Sequence, residues 1–91
     1  MGTQRRQSYL DIVKIKELAK ISSKIEMKRN ELGMNQKEFA RMMNVSQGMV
    51  SKWESGEYNF TITTLKEICD KLGLGFEAYI YDLYEEKRKE G

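Results

Sequence analysis

The chain has 91 residues, 40% of them hydrophobic, which fits one small domain with a single modest core. Sixteen basic and fourteen acidic side chains leave a formal charge of +2, so any affinity for a polyanion must come from where the charges sit. Histidine is absent and Cys69 is the only cysteine, which excludes disulfide frameworks, His/Cys zinc sites and His-based acid–base catalysis.

Between positions 10 and 32 apolar residues recur at helical spacing: Ile12, Val13 and Ile15 lead in, Ile21 and Ile25 lie one turn apart, and Leu32 continues their face. Ser22 or Ser23 is a point of interruption, so the pattern fits one long rod or a leading helix over about 10–20 followed by a second over 21–31. Lys20, Lys24 and Lys28 form a basic stripe, either a solvated face or an edge turned toward phosphate or a partner. Charge is uneven along the chain. Residues 1–31 carry eight basic and four acidic side chains, the remainder eight and ten.

Gly33 ends this helical region, since glycine takes the left-handed C′ conformation without penalty. Asn35 then caps a second helix, with Glu38 three residues on completing a capping box. Phe39, Ala40 and Met43 supply its buried face, and Asn44-Val45-Ser46 turns the chain. Ser46 caps a third helix over 47–54 that buries Val50 and Trp53 and stops at Ser55-Gly56. Two short helices joined by so tight a turn make a helix-turn-helix. Thr61 caps a fourth helix with Ile62, Leu65, Ile68, Cys69 and Leu72 facing the core, closed by Gly73. Cys69 is expected as a small core side chain. Residues 76–82 suit a strand slightly better than a helix, because Phe76, Ala78 and Ile80 alternate with Glu77, Tyr79 and Tyr81. The charged tail 85–91 is expected to be solvated.

These elements predict an all-α fold, a compact bundle of four to five helices containing a helix-turn-helix. Residues 1–20 form an N-terminal helical extension, 21–74 the helix-turn-helix domain, and 75–91 a C-terminal strand or helix with a charged tail.

A helix that reads base edges in the major groove needs flexible hydrogen-bonding side chains near its N-terminal end. The third helix offers Gln47 for adenine, Lys52 for guanine and the Met49 thioether for a thymine methyl, with Ser51 beside them. Gly48 lets the backbone approach the sugar-phosphate wall or leaves room for a neighbour. Phosphates need positioning donors, and Gln36 and Lys37 at the start of helix two, Ser46 at the start of helix three and Asn59 in the following loop are so placed.

The run Gln36-Lys37-Glu38-Phe39-Ala40, with Val45-Ser46-Gln47, Val50-Ser51-Lys52-Trp53-Glu54-Ser55-Gly56 and Thr64-Leu65 ahead of Leu72-Gly73, resembles the Cro/C1-type (XRE) helix-turn-helix family, which includes lambda-type phage repressors. The resemblance spans about residues 21–80. It implies a bundle that binds double-stranded operator DNA as a homodimer, and the residues themselves call for no cofactor or metal. It also implies that Gln36 clamps a phosphate, that Gln47 and Lys52 read bases, and that Arg29 and Glu54 form a partly buried ion pair. Gly48 stands where many members carry a longer reading side chain, and Phe60 where proline is common. The segment Ser55-Gly56-Glu57-Tyr58-Asn59-Phe60-Thr61-Ile62, with a terminal strand, also resembles antitoxins of the host-inhibition-of-growth type, which bind a cognate toxin and repress their own operon.

Three functions compete. A dimeric repressor rests on Gln36, Gln47 and Lys52. A toxin-binding antitoxin draws on the N-terminal extension and on Phe76, Tyr79, Tyr81 and Tyr84, since tyrosine favours interfaces. An enzyme finds no carboxylate pair, metal cluster or phosphate loop at workable spacing. No stretch reaches the roughly 20 apolar residues of a membrane span and residues 1–8 are polar, so the expectation is a cytoplasmic protein without membrane contact.

Overall fold

A computed structural model describes residues 2–78 and 80, with side chains from Asp11 onward. It contains four helices, α1 (Gly2–Glu31), α2 (Gln36–Met43), α3 (Gln47–Trp53) and α4 (Ile62–Leu72), and among the described residues no strand.

Local chemistry explains each boundary. α1 ends where Gly33 takes φ +75°, letting its N–H donate to the Asn30 carbonyl (3.0 Å) and Met34 N–H reach back to Arg29 (3.2 Å). α2 begins with a complete capping box: Glu38 N–H donates to Asn35 Oδ1 (2.7 Å) and Asn35 N–H to Glu38 Oε1 (2.9 Å). It ends at Asn44, the one non-glycine residue with positive φ (59°) among those described, which lets Val45 N–H reach the Ala40 carbonyl at 2.9 Å. Ser46 and Thr61 each accept a hydrogen bond at 3.1 Å, from Met49 N–H and Thr64 N–H, and so cap α3 and α4.

The core gathers Ile25 from α1, Phe39 and Ala40 from α2, Val50 and Trp53 from α3, and Ile68 and Leu72 from α4. Phe39 and Trp53 meet edge to face with centroids 6.1 Å apart. α2 packs on α3, and α4 packs on both α1 and α2. Tyr58 and Phe60, themselves edge to face at 5.0 Å, fold the loop after α3 back onto this core.

Several expectations need correction, though the single rod, one of the two readings of positions 10–32, holds: α1 is one 30-residue helix without a break at position 20. Ser22 does not interrupt it: buried, it donates from Oγ to the Trp53 carbonyl (2.7 Å) and accepts from Gly56 N–H (3.1 Å), so the end of α3 satisfies its hydroxyl. Ile12, Val13 and Ile15 are 53%, 41% and 60% exposed, and Ile15 borders an open hollow beside Gly56 and Glu57. Leu32 is exposed since the helix has already ended, and Ile62 because the first turn of α4 faces solvent. Cys69 is only half-buried, lining a cleft between α1 and α4. Residues 74–78 and 80 have no regular structure, since a strand exists only through a paired neighbour and the described residues offer no edge. The rest of the segment expected as a strand, and the tail 85–91, lie outside the described residues, as do Tyr79, Tyr81 and Tyr84.

Candidate nucleic-acid interface

α3 is amphipathic in seven residues. Val50 and Trp53 point into the core, which leaves Gln47, Gly48, Ser51 and Lys52 exposed on the opposite edge. Met49 is half-buried and packs against the core, so less of its thioether faces outward than of its neighbours' side chains. Gly48 does not need to be glycine for space. A Cβ there would meet only Ser46 Oγ at 3.8 Å, an ordinary contact.

This edge is fixed in place by a polar chain that joins three helices. Arg29, in the last turn of α1, donates from Nε to Glu54 Oε2 (2.6 Å) and from Nη2 to Glu54 Oε1 (2.9 Å), a bidentate pair with side chains only 7% and 3% exposed. Its Nη1 donates to the Met34 carbonyl at 2.6 Å, which closes the turn into α2. Donating hydrogen bonds to the Glu54 carboxylate holds the Arg29 guanidinium even more firmly protonated than usual. Burial opposes that shift, and the charges of Glu54 and Glu26 add to it.

Gln36, the first residue of α2, is half-buried and donates from Nε2 to Glu54 Oε1 at 3.0 Å. Its remaining amide N–H and carbonyl oxygen are not used in that bond. Lys37, next on α2, is exposed. Ser46 is exposed and its Oγ already accepts the α3 cap bond. Asn59 is exposed in the loop between α3 and α4, and Lys52 borders a shallow hollow with Ser55, Glu57 and Tyr58 in front of that loop.

Two residues to which sequence reasoning gave no binding role share this surface. A cleft between α2 and the head of α3 is lined by Lys37, Arg41, Asn44 and Gln47, with Ala40 and Val45 between them. The spacing of Lys37 and Arg41, one helical turn, was the available signal. Ser22 carried none, because its partners lie more than thirty residues away.

A second, apolar cleft of about 230 Å³ lies between α1, α4 and residues 74–76. Ile21, Ile25, Leu65, Cys69, Leu74 and Phe76 line it, with Lys20 and Lys24 at its rim. Partial burial pushes the Cys69 thiol above the ordinary cysteine range, which disfavours the nucleophilic thiolate. Among the described residues no group of three or more Asp, Glu, Cys or His side chains could hold a metal ion, and no helix is long and apolar enough to cross a membrane.

Residues 25–78, more than half of the chain, match the family model described as helix-turn-helix. No curated protein matches the chain.

Proposed function

The chain belongs to the Cro/C1-type (XRE) helix-turn-helix family of DNA-binding transcription regulators, and on that premise we propose that it is a dimeric repressor reading an operator with α3. The observation that carries this reading is the exposed polar edge Gln47, Ser51 and Lys52 on a helix whose other face is buried and whose end is bolted by Arg29 and Glu54. In this role Gln47 reads adenine and Lys52 reads guanine from the major groove. Gln36, Lys37, Ser46 and Asn59 position the phosphates, Gly48 lets the backbone close on the groove wall, and Met49 meets a thymine methyl at the rim. One such helix reads only a few base pairs, so two copies on half-sites about one helical turn apart supply useful specificity.

Selection from a random duplex pool, followed by binding titration against salt, tests it. The expected result is a palindromic site bound far more tightly than random duplex, with affinity falling steeply as salt rises. Gln47→Ala should lose discrimination at one base position, by about 1–3 kcal/mol. Equal competition by random and selected duplexes would refute the reading.

The apolar cleft between α1 and α4, together with exposed Ile12, Val13 and Ile15, favours a second reading in which the chain also neutralises a toxin. Both surfaces involve elements other than α3, so protein binding and DNA binding are compatible. Stoichiometric co-purification of a small protein from the native host supports it, and repeated recovery of the chain alone removes it.

A further inference from the structure

Among the described residues three cations are ion-paired, all on α1, and others, Lys24, Lys52 and Lys66 as well as Lys37 and Arg41, have no carboxylate within 4.0 Å. On α1, Lys20 lies 3.3 Å from Glu17, Lys28 lies 3.5 Å from Glu31, and Arg29 is held by Glu54. On α2, Lys37 and Arg41 are exposed one turn apart, and among the described residues neither has a carboxylate within 4.0 Å. The acidic residue of α2, Glu38, is occupied by the backbone N–H of Asn35. Lys37 and Arg41 thus share an exposed part of α2 without a direct ion partner among the described residues, while two of the three lysines in the α1 stripe are paired.

Lys37 and Arg41 also line one concave feature, the cleft closed at its other end by Asn44 and Gln47. Asn44 is held rigidly there. Its left-handed backbone is pinned by its N–H on the Arg41 carbonyl (3.2 Å), which fixes where its amide side chain starts.

We propose that this cleft seats a DNA phosphodiester, held by Lys37 and Arg41 with a hydrogen bond from the Asn44 amide, an inference that rests on the DNA-binding reading above. The chemistry fits. A guanidinium presents a planar fork that matches two phosphate oxygens, an ammonium adds a compact charge, and a carboxamide donates without adding charge. The seat borders Gln47, so it fixes how far the groove wall stands from the reading edge. Arg41 is accordingly a positioning residue, and it carries no base preference of its own.

The test uses the full chain and its selected duplex, with affinity followed by fluorescence anisotropy between about 50 and 200 mM salt. Arg41→Ala should bind about tenfold more weakly at low salt. The loss should be equal on selected and random duplex, and the plot of log affinity against log salt should be shallower by about 0.9. Removing Lys37 as well should roughly double that change in slope. Asn44→Gly keeps the left-handed turn while deleting the amide, and should weaken binding severalfold with an unchanged melting curve. Lys66→Ala, on the exposed side of α4, should leave the slope alone. A steep wild-type slope that Arg41→Ala does not alter overturns the seat and leaves DNA binding standing, as does a loss confined to one base position. Failure of the wild-type chain to bind any duplex overturns both.

Discussion

Between residues 11 and 20, α1 leaves Ile12, Val13 and Ile15 in solvent and half-covers only Leu18, whereas between residues 21 and 31 it buries Ser22, Ile25 and Arg29. Both stretches mix isoleucine with lysine and glutamate, and both belong to one unbroken helix. What differs is what stands opposite. The second stretch faces α4, the end of α3 and the turn into α2, whereas the first borders an open hollow beside Gly56 and Glu57. Helical periodicity identifies a stripe, but burial belongs to a pair of elements, so the same apolar pattern is core in one half of α1 and surface in the other.

The sharpest way to break this contrast is at Arg29. Arg29→Ala leaves the nearly buried Glu54 carboxylate without its ion partner and should cost about 3–5 kcal/mol in chemical denaturation. Removing both charges together, as Arg29→Met with Glu54→Met, should recover part of that loss, which would show that the penalty comes from the orphaned charge. An Arg29→Ala midpoint equal to wild type would mean the pair does not hold α1 to α3.

The next test makes one substitution in each half. Ile25→Ala should cost about 2–5 kcal/mol, because it opens a cavity among Phe39, Trp53 and Ile68. Ile15→Ala, more than half exposed, should stay within about 0.5 kcal/mol. Equal losses at the two sites would show that the first half of α1 has a packing partner in solution.

Ser22→Ala removes a hydroxyl that both donates to Trp53 and accepts from Gly56, and should cost about 1–3 kcal/mol. Amide exchange should locate the loss, with Gly56 N–H exchanging faster than in wild type. The smallest expected effect is at Cys69. Its thiol is held protonated to higher pH than a free cysteine, so at about pH 8.5 alkylation should run slower than in the denatured chain, with its rate rising at a higher pH. A rate equal to that of the denatured chain would place Cys69 in open solvent.

Legibility in this sequence follows the range of the interaction. The ends of α2, α3 and α4 can be read directly, because Asn35 with Glu38, Ser46 with Met49 and Thr61 with Thr64 are each contacts across three residues. Gly33 and Gly73 announce left-handed stops for an equally local reason. Ser22 and Ile62 depart from expectation because their surroundings are set by chain tens of residues away or by its absence, and the exposure of the first half of α1 has the same cause. Gln36 illustrates the same limit on the candidate site. A helix-start glutamine is visible in the sequence, but its bond to Glu54, eighteen residues on, is not. The pairing of Arg29 with Glu54 was suggested by family resemblance, since nothing in the local spacing of either residue points to the other.

The unbroken helix has a mechanical consequence. Nineteen residues of α1, positions 2–20, form a stiff spar of about 28 Å instead of a slack tether. Whatever grips its far end is therefore held at a set bearing to α3, and that bearing can be dialled by length. One inserted residue before position 20 swings the outer stripe by about 100° around the axis, while seven bring it back to nearly its former heading.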